Sequence, residues 1–154
     1  MAHIYTAGIR WALEGADFAS NDYSRGHTWS FDGGVEVPAS SSPSVVPVPK
    51  SREDAVDPEE AFVASLSSCH MLWFLDLARR AGFVVTAYED NADGEMKKNG
   101  EGRIAITSVT LRPKATFEGD APDAAKLHAL HHDAHEACFI ANSVKTDIWL
   151  EPRT

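Results

Sequence analysis

Cysteine is scarce: two in 154 residues, too few for the disulfide framework of a small secreted domain. Positive charge is also scarce and nowhere clustered. Fourteen lysines and arginines face 23 acidic residues, a formal charge of −9, which argues against general attraction to nucleic acid or anionic membranes. The most apolar stretch, residues 71–75, is far shorter than the roughly 20 residues that cross a bilayer. The opening MAHIYTAGIRW lacks a basic region followed by an apolar core, so no signal peptide is expected. There is no C-x-x-C, no H-E-x-x-H and no internal repeat. These absences point to a cytoplasmic protein with reduced thiols, and to neither a nucleic-acid nor a membrane partner.

What is present fits a single domain over residues 1–154, long enough to bury its own core. Residues 1–56 read as a β region with a long loop. Strands are expected at 4–11, at 27–31 and, after the Gly33-Gly34 turn, from Val35 and Val37. Residues 38–54 are so rich in proline and serine that they read as a surface loop. Residues 57–154 open with a long helix. Asp57 is its cap, Pro58 its first position, and Glu60 completes a D-x-x-E capping box. Phe62, Leu66, Cys69, Trp73 and Leu77 fall on one face, and the nearly continuous apolar run from Cys69 to Ala78 predicts burial on all sides. Arg79 and Arg80 suit the C-terminus, Gly82 ends the helix, and Asp76 can pair with either arginine.

Strands follow at 83–88 and at 103–112, where the alternation slips near Ser108 as at a β-bulge. The charged segment 90–102 between them reads as a turn. A second helix runs from about Ala121-Pro122-Asp123 to Glu136, and a last strand covers 143–150. That order implies an α+β fold with antiparallel sheet around a buried helix, not a doubly wound dinucleotide fold.

The two cysteines carry the chemical question. Cys69 sits on the apolar half of the long helix and Cys138 just beyond the second helix, 69 residues later. Composition alone favours two unrelated buried thiols. The sharper alternative is a pair that meets in space, one thiolate reacting and the other resolving it as a disulfide. Such a thiolate needs a cation, because an ordinary thiol has a pKa of about 8.5 and burial raises it. Arginine stays charged where lysine need not.

The stretch from Asp57 to His70, DPEEAFVASLSSCH, resembles the central-helix signature of the OsmC/Ohr family. AHEACFIANS, residues 134–143, resembles that family's resolving-cysteine segment, although Phe139 stands where the family often has proline. Tyr23-Ser24-Arg25-Gly26-His27 sits where the family carries an arginine. The resemblance implies an OsmC-like fold in an intertwined homodimer. It also implies thiol-dependent reduction of organic hydroperoxides, in oxidative stress defence, with a small dithiol or dithiol protein as reductant and no cofactor or metal. On it, Cys69 is the peroxidatic thiol, Cys138 resolves it, Arg25 stabilises the thiolate, and Glu59 orients the arginine. Ten residues of helix span roughly 15 Å, so Glu59 cannot itself reach Cys69 along a straight helix.

Two rival readings stand beside this one. His128, His131, His132 and His135 share a face of the second helix, with Cys138 a turn later, and imidazole and thiolate suit zinc. The other is a non-enzymatic OsmC-like module holding a small apolar ligand or a metal in the same cleft. His70 reads as a helix residue satisfied by a polar partner, and His27 as a pocket-lining candidate.

Overall fold

The computed structural model describes the whole chain, Met1–Thr154. It divides into two compact units, Met1–Ala61 and Phe62–Thr154.

In the first unit, strands β1 (Gly8–Arg10), β2 (His27–Ser30) and β3 (Glu36–Ala39) form one antiparallel sheet in that order. β1 is shorter than the expected strand, because only Gly8–Arg10 find partners on β2. The proline-rich segment is not simply a surface loop. It folds back so that Ala39 bridges Val56, and Ser40 and Ser51 are buried. The Ser40 hydroxyl accepts from the backbone N–H of Arg52 at 3.0 Å. Proline cannot donate to a ladder, so side-chain hydroxyls take over part of the hydrogen bonding.

Helix α1 (Pro58–Arg80) begins where its sequence says it should. The Asp57 carboxylate accepts from the Glu60 N–H at 2.7 Å and the Glu60 carboxylate from the Asp57 N–H at 3.2 Å, a reciprocal capping box. It ends at Gly82, whose φ of +87° places it in the left-handed region. Phe83 N–H donates to the Ala78 carbonyl and Gly82 N–H to that of Arg79, the paired closure that glycine permits. Asp76 pairs with Arg79 at 2.9 Å and Arg80 at 2.6 Å. The Arg79 hydrogen bond leads in holding its carboxyl below the usual range.

The second unit adds β4 (Val84–Asp90), β5 (Asp93–Lys98), β6 (Ile104–Leu111), β7 (Pro113–Glu118), α2 (Ala124–Ala137) and β8 (Asp147–Leu150). β4 pairs with β7, and β5-β6-β8 form a second sheet. Two expectations need correction, and one strand was not foreseen. The charged segment 90–102 contains β5, an edge strand whose residues are all exposed, so polarity there reflects the edge and not a turn. The expected strand at 103–112 is β6, and β7, the strand not foreseen, follows it after a single residue. The sheet is not wholly antiparallel either: β8 lies parallel to β6, pairing Val109 with Ile148 and Leu111 with Leu150, because α2 serves as a crossover between them. The slip near Ser108 is a bulge, with Glu95 facing Ser108 and Met96 facing Ile106.

Two cores lie along α1. Leu66 packs with Val109 and Leu111 of β6, with Ile148 and Leu150 of β8 around them. Phe74 and Ala78 pack with Leu130 and Ala134 of α2, against β4 and β7. Within one chain α1 is therefore not buried all round. Its buried line is Leu66, His70, Phe74 and Ala78, one residue off the expected face, and Leu72 is 60% exposed. By length and composition α1 could span a bilayer, but this line is core.

Candidate active site

α1 and α2 bring the two cysteines together. Both are free thiols; Cys69 is half-buried and Cys138 buried. Cys138 is the first residue past α2, its N–H on the His135 carbonyl at 3.2 Å. A short 3-10 turn, Ala141–Ser143, then carries the chain back. That turn aims the Ala141 N–H at the Cys138 sulfur, 3.4 Å away.

Burial, and after it a hydrogen bond and charge interaction with the Cys69 sulfur, push the Cys138 thiol up to about 11; the Ala141 N–H pulls the other way. Cys138 is thus a protonated thiol at neutral pH. A half-exposed sulfur beside a protonated buried one is an arrangement suited to thiol–disulfide chemistry.

Aromatic groups flank the pair. Trp73, one turn after Cys69, meets Phe139, next to Cys138, edge to face at 5.3 Å. Phe139 is 67% exposed, so this contact borders solvent. On the buried side, His70 and His131 are 1% and 2% exposed and joined from His70 Nε2 to His131 Nδ1 at 3.0 Å. Burial and then the neighbouring histidines lower His70 to about 3. Burial lowers His131 to about 4, with His128 adding to this and Asp90 opposing it. Phe74 is stacked on His131 at 4.3 Å and wholly buried in the core.

Arg25 belongs to the N-terminal unit. Trp11, Phe18 and Tyr23 cluster there, and the Trp11 indole N–H donates to the Ser24 carbonyl at 2.8 Å. Arg25 lies over the Tyr23 ring at 3.7 Å, donates to the Tyr23 carbonyl at 2.5 Å, and hydrogen-bonds the Asn21 side chain. Glu59, half-buried in the first turn of α1, is not among its partners. His27 binds the Arg25 carbonyl at 2.7 Å and the Trp29 indole at 3.0 Å, which ties it to its own strand.

The four histidines of α2 do not converge. His131 turns inward to His70, while His128 and His132 are exposed. No three His, Cys, Asp or Glu side chains gather as a set that could hold a metal ion. Sequence reasoning missed the His70–His131 contact. Its signal was the placement of each: His70 on the i, i+4 line with Leu66 and Phe74, and His131 on the same face of α2 as Ala134 and Cys138.

The family model described as OsmC-like protein matches residues 51–153. The chain belongs to the OsmC-like family. An OsmC-like protein of unknown function from Vibrio cholerae is 49% identical, with a TM-score of 0.97 over 99% of this chain and 100% of that one. Two more distant structures share the fold. One is an organic hydroperoxide resistance protein OsmC from Legionella pneumophila, with 16% identity and a TM-score of 0.72 over 99% of this chain and 100% of that one. The other is the organic hydroperoxide resistance protein OhrB of Bacillus subtilis, with 19% identity and a TM-score of 0.66 over 97% and 98%. No curated protein matches. Cys69, Cys138 and Glu59 of this OsmC-like chain fall inside the matched region, and Arg25 lies before it.

Proposed function

We propose that this OsmC-like protein is a thiol-dependent peroxidase that reduces organic hydroperoxides to alcohols in oxidative stress defence. The observation that carries the reading is the meeting of Cys69 and Cys138, one accessible and the other buried with its proton held. The Cys69 thiolate attacks the peroxide; the O–O bond breaks, the alcohol leaves with a proton, and Cys69 becomes a sulfenic acid. Cys138 then attacks that sulfur. The disulfide forms, and the thiol proton departs with hydroxide as water. A small dithiol or dithiol protein restores both thiols by exchange.

On this reading Arg25 supplies the cation that favours the thiolate and Glu59 orients it, which requires the guanidinium to leave the Tyr23 ring and the Asn21 side chain that hold it here. Trp73 and Phe139 give the open side an apolar wall, favouring an alkyl chain over hydrogen peroxide; equal second-order rates for cumene hydroperoxide and hydrogen peroxide would remove that preference. The assembly is a homodimer, which covers the apolar α1 face marked by Leu72. The setting is the cytoplasm, where thiols rest reduced.

Free thiols titrated before and after one equivalent of organic hydroperoxide test the core of the reading. It requires the loss of two thiols per chain, with Cys69→Ser inactive and Cys138→Ser limited to one oxidation event. Unchanged thiols would refute it and favour a binding module.

A further inference from the structure

The histidine pair on the buried side of the cysteines has a place in the fold that packing alone does not require. His70 directly follows Cys69 on α1. His131 precedes Cys138 by seven residues, two turns of α2 that return to the same face. Each ring is thus rigidly tied through its own helix to one of the sulfurs. The rings are parallel to within 5°, with centroids 5.3 Å apart, and Phe74, one turn along α1 from His70, stacks on His131. α1 therefore grips one residue of α2 at two successive turns.

The remaining contacts between these helix segments, Phe74 and Ala78 with Leu130 and Ala134, are apolar and tolerate sliding. A 3.0 Å nitrogen–nitrogen hydrogen bond does not. It is also an expensive choice for a core. The second nitrogen of His70, Nδ1, is buried without a partner, and a leucine pair would avoid that cost. Directional polar contacts in cores fix one arrangement among several that apolar packing allows. Burial keeps both rings neutral, so one donates and the other accepts with no charge added beside the thiols.

We propose that the His70–His131 hydrogen bond is a clasp that sets the spacing of the Cys69 and Cys138 sulfurs, making both histidines positioning residues for the disulfide. The inference deepens the peroxidase reading and rests on it for its role in turnover. The clasp acts on the second chemical step. Condensation of the Cys69 sulfenic acid with the Cys138 thiol forms S–S, breaks S–O and releases water, at a rate set by how often the sulfurs meet in line. The attack of Cys69 on peroxide needs no Cys138 and is unaffected.

Two measurements on full-length His131→Leu, His131→Gln and His70→Leu test this. Stopped-flow oxidation with one equivalent of cumene hydroperoxide separates the first phase from disulfide closure. Equilibration in glutathione redox buffers reads the stability of the disulfide with no peroxide present. Both leucine variants are expected to keep the first phase and to slow closure at least tenfold. Their disulfide is expected to weaken about tenfold, raising its potential by about 30 mV. Glutamine, which can donate and accept, restores much of both. A folded leucine variant with wild-type closure and wild-type glutathione equilibrium overturns the clasp. If peroxide consumes no thiols in the wild type but the glutathione shift is present, the peroxidase reading fails and the clasp stands.

Discussion

Acidification from pH 7 to pH 5 should weaken the fold through two buried imidazoles. His70 and His131 have an ordinary pKa of 6.5 and, in the folded chain, values of about 3 and about 4. Below pH 6.5 the unfolded chain takes up a proton at each, while the folded chain takes up almost none until pH 4 to 3. Stability from this source is complete above pH 6.5 and falls as pH drops toward 4. Each pH unit in that window costs about 1.4 kcal/mol per imidazole. From pH 7 to pH 5 the loss is therefore about 2 kcal/mol each and about 4 kcal/mol for the pair, large against a total stability of roughly 5–15 kcal/mol.

The paired carboxyls of Asp54, Asp76 and Glu95 have ordinary values of 3.8 to 4.5 and are lowered further, so they titrate below this window. Urea unfolding followed by tryptophan fluorescence at pH 7, 6 and 5 gives the loss directly. The His131→Gln chain should show about half the wild-type loss, because one imidazole is gone. Equal losses in the two proteins would refute the assignment of the pH dependence to this pair.

Asp57→Ala removes one half of the α1 capping box and should cost about 1 kcal/mol in urea melts, with Asn recovering most of it. Gly94→Ala places a Cβ 2.8 Å from a Val63 methyl and 3.2 Å from one of Ile106; a loss of about 1–3 kcal/mol is expected, and a neutral result would show that β5 shifts freely. Leu72→Glu is harmless to an isolated chain but should convert the proposed homodimer to monomer by light scattering; an unchanged mass would exclude α1 as the interface.

The local rules of the chain were legible where a few neighbouring residues decide the outcome. The capping box at Asp57, the glycine stop at Gly82 and the slip opposite Glu95 each depend on contacts within a few residues, or on one broken alternation. The two cysteine segments were legible too, because DPEEAFVASLSSCH and AHEACFIANS are continuous. Less legible was anything whose meaning lies in an edge or a partner. β5 is polar because it is an edge, and β8 runs parallel to β6 because α2 intervenes.

By itself, then, the sequence determined the helices, their ends, most strand segments and which residues were chemically eligible. Tertiary structure alone decided which face of α1 is buried, that the Cys138 thiol is buried and pushed up, and that His70 meets His131 across 61 residues of chain. The physical reason is that periodicity encodes only how a segment presents its own faces. Burial, and with it the protonation of a thiol or an imidazole, depends on which distant segment comes to cover them.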